Sequence, residues 1–354
     1  MRKILFKLSI FILFLTIVLI GVLSTIGVET DKFSKIISSK VTENNKNIYL
    51  KLEKVKFKFD IKSLNLFLET KYPILKYKNE TIPIKDIKVY LNFASLIKSK
   101  SKIEKIDLTS EEIDIEKLKK IILKTKPSNL NSLINNRVKN GKITINLELF
   151  FKNNLEINNF IARGDIQDLE GIINDKLILK KTNFNFFADS SDILIKNLKS
   201  SLNGLKIDNG NLLIKNDKQI KVKSEFSTRV NLDESNIKNY SPLLNRKNFI
   251  NNKTKLKATL ENFIDITFDK TFKVIDYVYT NKGKIENSLF YLDKSFASEF
   301  LEKEIKFINF IDTNIQSRYA SDDKNSFFVS GKYSINDDNF REYSLKNNFN
   351  KNSK

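Results

Sequence analysis

Residues 47–62, NIYLKLEKVKFKFDIK, alternate apolar and polar side chains almost without exception. Leu50 and Leu52 are apolar on even positions, but after Glu53-Lys54 the apolar residues fall on odd positions. Because successive side chains of a β-strand point to opposite faces, this pattern predicts strands with one apolar and one polar face. The change of phase predicts a bulge or a tight bend between two strands.

The same alternation recurs along most of the chain and predicts a long antiparallel meander. It is seen at 87–93, 143–151, 177–179, 184–186, 193–195, 212–214, 220–222, 256–260, 264–268 and 328–335. Turn residues divide these runs at Asn140-Gly141, Asn203-Gly204, Asn209-Gly210, Lys282-Gly283 and Gly331. Helical spacing of apolar residues is limited to short segments, at 30–41, 111–124, 129–138, 233–244 and 292–301.

The fold class that follows is mainly β with a few helices. A long curved antiparallel sheet whose apolar face forms an open groove fits the pattern. A closed β-sandwich, in which two apolar faces bury each other, fits it as well. The residues that we expect to line a groove are Val55, Phe57, Phe59, Ile61, Val89, Leu91, Phe93, Ile143, Ile145, Leu147 and Leu149.

The N-terminal segment from Leu8 to Val28 contains no charged residue over 21 positions, which is about the length that crosses a bilayer as a helix. Basic residues precede it and acidic residues follow it, which predicts a cytoplasmic N-terminus and an ectodomain outside the cytoplasm. A cleaved signal peptide is the alternative, although the run exceeds the usual length of a signal-peptide apolar region. The predicted anchor residues are Leu8, Ile10, Phe11, Phe14, Ile17, Val18, Leu23 and Val28.

Composition excludes several kinds of chemistry. The chain has no Cys and no His, so it contains no thiol nucleophile, disulfide, Ser-His-Asp triad or His-ligated metal. Its formal charge is +20, but only seven of the 62 basic residues are Arg, the residue that phosphate readers favour. An AT-rich genome also favours Lys, Asn and Ile codons, and we favour this codon bias over anionic partners as the source of the charge. We predict no nucleic-acid partner.

No motif for a phosphate-binding loop, a metalloprotease or a nucleophile elbow occurs in the sequence. Acidic clusters occur at 111–116, Asp189/Asp192, Asp322/Asp323 and Asp337/Asp338. Paired carboxylates can run a hydrolase or hold a metal, but each cluster lies at a predicted turn or helix start, where carboxylates cap backbone N–H groups. We therefore predict no enzyme activity, no catalytic residue, no metal and no cofactor.

Three stretches resemble the AsmA-like proteins of Gram-negative envelopes, the superfamily that includes YhdP- and TamB-type bridges. They are the anchor followed by the strands of Asn47–Lys62, the segment Val89–Leu118, and the segment Asn140–Ile172. The resemblance implies an inner-membrane anchored, periplasmic β-groove that carries phospholipid to the outer membrane or assists its assembly. It implies no catalytic residues.

The predicted organisation is an anchor at 1–28, a first AsmA-like unit at 29–127, a second groove unit at 138–345 and a polar tail at 346–354. About twenty strands at about 4.8 Å each extend at most about 95 Å, which is shorter than the longest bridge proteins. A partner protein or an oligomer would be needed to extend the groove. The predicted function is therefore non-enzymatic handling of membrane phospholipid, with a structural or scaffold ectodomain as the alternative.

Overall fold

The computed structural model describes residues 2–30, 34, 38–39, 41–42, 46–61, 65–91, 103–152, 156–174, 177–235, 237, 253–299 and 301–349. Most of these residues lie in antiparallel strands, which confirms the mainly β fold class. The helices of this described part are α1 (Arg2–Thr25), α2 (Ile115–Leu123) and α3 (Asn129–Arg137). The strands are β1 (Val28–Thr30), β2 (Ile48–Lys51), β3 (Val55–Asp60), β4 (Asn65–Lys71), β5 (Ile74–Tyr77), β6 (Glu80–Leu91), β7 (Ile103–Ser110), β8 (Ile113–Asp114), β9 (Val138–Phe151), β10 (Ile157–Asn174), β11 (Leu177–Ala188), β12 (Asp192–Leu202), β13 (Leu205–Asn216), β14 (Ile220–Leu232), β15 (Lys255–Phe268), β16 (Val274–Phe296), β17 (Ile305–Ala320), β18 (Asn325–Ile335) and β19 (Arg341–Phe349).

The chain forms two compact units. The first comprises Met1–Pro127 with Ile143–Gly164, and the second comprises Ser128–Lys142 with Asp165–Lys354. The sequence-based boundary assigns all of 138–345 to the second unit. The structure places Ile143–Gly164 in the first unit because β9 pairs with β7, where Leu147 lies opposite Leu108.

Helix α1 is long and apolar enough to cross a membrane, over the 20 residues Phe6–Thr25. It ends at Gly27, whose φ of +71° and whose N–H bond to the Val22 carbonyl, at 2.9 Å, close the helix in a left-handed turn. Strand β1 begins at the next residue and pairs with β3, with Val28 opposite Phe57. Val28, which was predicted as an anchor residue, therefore lies in β1 beyond the end of the helix.

The first unit is a two-layer structure with a closed core. One layer is the sheet β3–β4–β6–β7–β9, and the other is formed by β2, β5 and the first residues of β6. The change of phase at Glu53-Lys54 is the corner between β2 and β3, which lie in different layers. Leu52 and Val55 are both buried on the two sides of this corner, so each layer keeps its apolar residues on the core side. The predicted tight bend is therefore observed.

The second unit is a single layer. Its strands β11 to β19 each pair with their sequence neighbours, and among the described residues every extensive contact between strands joins two such neighbours. Its apolar cluster is small, with buried Leu232 and Ile237 packed against Leu205, Val230 and Leu256. A closed sandwich would require a second layer over this sheet, so the predicted open sheet is confirmed here and the sandwich is not.

Only one of the predicted Asn-Gly turns in the second unit is a turn. Asn203 and Gly204, with φ of +49° and +96°, connect β12 and β13 as a two-residue hairpin. Asn209-Gly210 instead forms a bulge within β13, because Asn209 with φ of +53° lies where the pairing with β14 shifts register. The other glycines that were predicted as turns lie inside strands: Gly141 in β9, Gly283 in β16 and Gly331 in β18.

Left-handed residues also mark register shifts in other strands of this unit. Lys181 in β11, Asn197 in β12 and Asp312 in β17 have φ of +51°, +57° and +49° and lie at breaks in the pairing. A bulge bends its strand and increases its twist, so these residues give the long strands their local curvature.

Two further sequence predictions were wrong and two fall partly outside the described residues. The helix expected at 292–301 is absent, because β16 continues as a strand to Phe296. Lys346–Phe349, which were expected in the polar tail, pair instead with β18. Helices were also expected at 30–41 and 233–244, and most residues of both segments lie outside the described residues.

Candidate functional site

The apolar face of the second unit is the candidate site. Val222, Ile266 and Tyr277 lie directly opposite one another on β14, β15 and β16, so their side chains share one face. The same register places alternate residues of each strand on this face. On the two central strands they include Ile220, Val222, Phe226, Val230 and Leu232 of β14, and Leu256, Leu260, Ile264, Ile266 and Phe268 of β15.

Most of these side chains are half-buried rather than buried. Residues at the ends of β14, Ile220 and Leu232, are 9% and 4% exposed, but Val222, Phe226 and Val230 between them are half-buried. In a closed core, residues at the middle of a central strand are the most buried. The smaller Ser224 and Thr228, which alternate with these residues on the same face, are 7% and 5% exposed. The middle of the face therefore combines partly exposed apolar side chains with small buried polar ones, and its exposed apolar area is a candidate surface for an apolar molecule.

The opposite face of the same strands is polar and solvated. Lys223 pairs with Asp265 at 3.0 Å and Lys284 pairs with Asp312 at 2.8 Å. The hydrogen bond from Lys284 lowers the pKa of the Asp312 carboxyl. Exposed pairs of this kind contribute little to stability, so they define the wet side of the sheet rather than hold it together.

A row of polar side chains crosses the apolar face. This row, which we name the amide row, comprises Ser317, Asn281, Tyr279, Asn262 and Thr228. The Ser317 hydroxyl donates to Asn281 Oδ1 at 3.0 Å, and Asn281 Nδ2 donates to the Tyr279 hydroxyl at 3.2 Å. The Tyr279 hydroxyl donates to Asn262 Oδ1 at 2.8 Å, and Asn262 Nδ2 donates to Thr228 Oγ1 at 3.1 Å. These hydrogen bonds link each member of the row to the next, and together they span the four strands β14 to β17.

The predicted groove residues that lie in β3, β6 and β9 share one face of the sheet of the first unit. Cross-strand pairs such as Phe57 with Leu68, Leu68 with Val89 and Leu108 with Leu147 bring them to the same side. Whether they touch lipid stays a prediction.

Burial divides these residues into two groups. Val55, Phe57, Val89 and Leu91 belong to the closed core or pack against it, and Val55 is only 1% exposed. Phe59, Ile145, Leu147 and Leu149 are half-buried, Ile143 is buried, and Ile61 is exposed just beyond β3. Phe93 lies outside the described residues. Buried side chains such as Val55 and Ile143 offer no surface to a ligand in this arrangement, so surface for a ligand is limited to the half-buried and exposed members of the second group.

Two of the acidic clusters act as turn caps. The Asp189 carboxylate accepts the N–H groups of Ser191 and Asp192 at 2.8 Å each, and these bonds lower its pKa. The Asp322 carboxylate accepts two hydrogen bonds from the Arg318 guanidinium, at 3.0 and 2.9 Å, which lowers the pKa of Asp322 to about 2. Both carboxylates have backbone or ion-pair partners, as expected of structural residues.

Sequence reasoning identified the strands of the second unit but did not select their residues as the site. The signal was present, because 256–268 alternate as strictly as 143–151 do. The alternation does not show which apolar faces will be covered by a second layer of the protein.

Comparisons of the chain with family models, with curated proteins and with solved structures found no match. The functional argument therefore depends on two structural features. One is the apolar sheet face of the second unit, and the other is an N-terminal helix that is long and apolar enough to cross a membrane.

Proposed function

We propose that this chain is a non-enzymatic, membrane-anchored protein of the bacterial envelope that handles phospholipid by holding acyl chains on the apolar face of the second unit. The observation that carries the proposal is the single-layer sheet, whose apolar side chains around Val222 and Ile266 have no covering layer among the described residues. A soluble protein rarely leaves an apolar sheet face open unless something binds there.

The occupant that we favour is a membrane lipid because the same chain carries α1, whose apolar stretch Phe6–Thr25 has no buried residue. That helix keeps the ectodomain beside a bilayer, where acyl chains are the abundant apolar ligand. Strand β14 has 13 residues and, at about 3.3 Å per residue, extends about 43 Å. One leaflet of the hydrocarbon core is about 15 Å deep, so the face is long enough for a whole acyl chain.

The mechanism would be passive. Each methylene that leaves water for an apolar surface gains about 0.8 kcal/mol, so a face that covers about ten methylenes offsets on the order of 8 kcal/mol of the cost of leaving the bilayer. The charged head group would stay at the polar edge of the sheet. Exposed lysines near the strand ends, such as Lys221 in β14, would attract its phosphate.

We place the ectodomain in the periplasm and the anchor in the inner membrane. Support comes from the charge asymmetry around α1, with Arg2, Lys3 and Lys7 before the apolar run and Glu29 after it. The resemblance to the AsmA-like proteins favours the same location.

A photo-crosslinking experiment tests the proposal on the full chain in its own membrane. A photoreactive amino acid placed at Ile266 should form adducts with phospholipid, because this side chain lies on the apolar face. The matched control is Thr267, the next residue on β15, whose side chain lies on the opposite face. Mass spectrometry of the adducts identifies the lipid.

Lipid adducts at Ile266 and not at Thr267 would support the proposal. Equal labelling at both positions, or protein adducts alone at Ile266, would refute it. Protein adducts would favour the scaffold function, in which another chain covers this face.

A further inference from the structure

The amide row occupies the middle of the apolar face. On β15, Asn262 is the one polar side chain among the residues that share this face, and Leu256 and Phe268 lie six positions before and after it. At about 3.3 Å per residue, each flanking apolar stretch is about 20 Å long, close to the length of one acyl chain. An acyl chain that filled either stretch would therefore have one end beside Asn262. That end can be the one that carries the ester linkage.

The row has hydrogen-bonding capacity that its own members do not use. An Asn amide has two N–H donors, and in the described part of the chain one hydrogen bond donated by Asn281 is recorded, to Tyr279. The Thr228 hydroxyl accepts from Asn262 and has its own O–H to donate. Thr228 is 5% exposed, so water reaches its O–H poorly, whereas Asn281 is half-buried and open to a ligand. A buried donor with no acceptor is unfavourable, and a ligand acceptor would relieve this cost.

The chemistry of the row selects a neutral acceptor. All five members are uncharged hydroxyl or amide side chains, whereas protein sites for phosphate use Arg, Lys or clustered backbone N–H groups. The neutral acceptor nearest to an acyl chain is the carbonyl of its ester bond.

We propose that the amide row binds the ester carbonyls of a diacyl lipid, with Asn281 as the donor to one carbonyl, Thr228 as the donor to the other, and the chains lying on the adjacent apolar stretches. This inference rests on the proposed function, since it assigns the polar contact of the same lipid.

The test compares two phospholipids that share head group and chain length but carry either ester or ether linkages, because the ether lacks the carbonyl. The full chain in nanodiscs is exposed to an equimolar mixture, and native mass spectrometry measures the ratio of bound lipids. One hydrogen bond of ordinary strength predicts a preference of about two- to tenfold for the ester. Asn281→Leu and Thr228→Val should each reduce that preference, whereas Thr228→Ser should keep it.

Asn314→Leu is the matched control for Asn281→Leu, because Asn314 lies opposite Lys284 on the polar face and should leave the preference unchanged. Hydrogen exchange of β15 and β16 checks that each variant keeps the wild-type pairing. Equal binding of both lipids by the wild-type chain would overturn the assignment of the amide row while leaving the proposed function standing. No binding of either lipid would refute both. A preference that survives Asn281→Leu and Thr228→Val together would also overturn the assignment.

Discussion

The contrast between a closed first unit and an open second unit predicts different costs for the same substitution. Val55→Ala and Val222→Ala remove the same two methyl groups from a β-strand. Val55 is 1% exposed within the core of the first unit, so its truncation loses about 1.6 kcal/mol of transfer free energy and leaves a cavity. We expect a total cost of about 2–3 kcal/mol.

Val222 is half-buried on the open face, between Ile214 and Ile266 on the neighbouring strands. Half of the transfer term applies there, and no rigid cavity forms because solvent or a mobile acyl chain fills the space. We expect Val222→Ala to cost less than about 1 kcal/mol.

Hydrogen exchange followed by mass spectrometry measures both costs on the full chain in nanodiscs. The amides of β3 and β4 report on Val55→Ala, and those of β14 and β15 report on Val222→Ala. A difference of about 1.4 kcal/mol corresponds to a tenfold difference in the opening equilibrium, which the method resolves. A cost at Val222 equal to that at Val55 would refute the reasoning, because it would mean that a protein layer covers this face.

Two further predictions concern backbone packing and pH. Gly283→Ala should disrupt the pairing of β15 with β16, since its new Cβ would clash with the Thr259 carbonyl oxygen. Gly21→Ala in α1 meets nothing within 4 Å and should leave the thermal unfolding temperature unchanged. A Gly283→Ala chain with wild-type exchange in β15 would contradict this. The pKa of Asp322 is lowered to about 2 by Arg318, so the stabilisation that it gives the β17–β18 turn is present above about pH 4 and lost as the pH falls towards 2. Hydrogen exchange of the turn amides should therefore become faster over this range than the intrinsic effect of pH on exchange predicts. Asp322→Asn should remove this additional increase. Equal pH profiles for the wild-type and Asp322→Asn chains would count against the prediction.

Local physics made the strands predictable but not what packs on them. The alternation in 47–62 reports which side chains share a face, because that property depends only on neighbours in sequence. Whether an apolar face is covered by a second layer depends on segments that are distant in sequence. In the first unit β2 and β5 pack over Val55, and the pattern within β3 does not reveal this.

The turn signals illustrate a second limit. Asn203-Gly204 and Asn209-Gly210 have the same chemistry, and both use a left-handed Asn. One pair connects two strands and the other bulges within one, because the left-handed conformation serves both purposes. The amide row was invisible for a similar reason, since Asn262 and Asn281 become neighbours only through the register of β15 with β16.

The pairing of each strand with its sequence neighbours makes the second unit close to a one-dimensional system. Its stability is then a sum of hairpin terms and the terms between adjacent hairpins, as in repeat proteins, rather than the property of one shared core. Contacts that are local in sequence also allow such a sheet to begin folding at any hairpin and to grow outward. An added or deleted hairpin would shift the width of the sheet by about 10 Å and leave the pairing of the remaining strands intact. Width is therefore a quantity that evolution can adjust in this architecture without redesigning the fold.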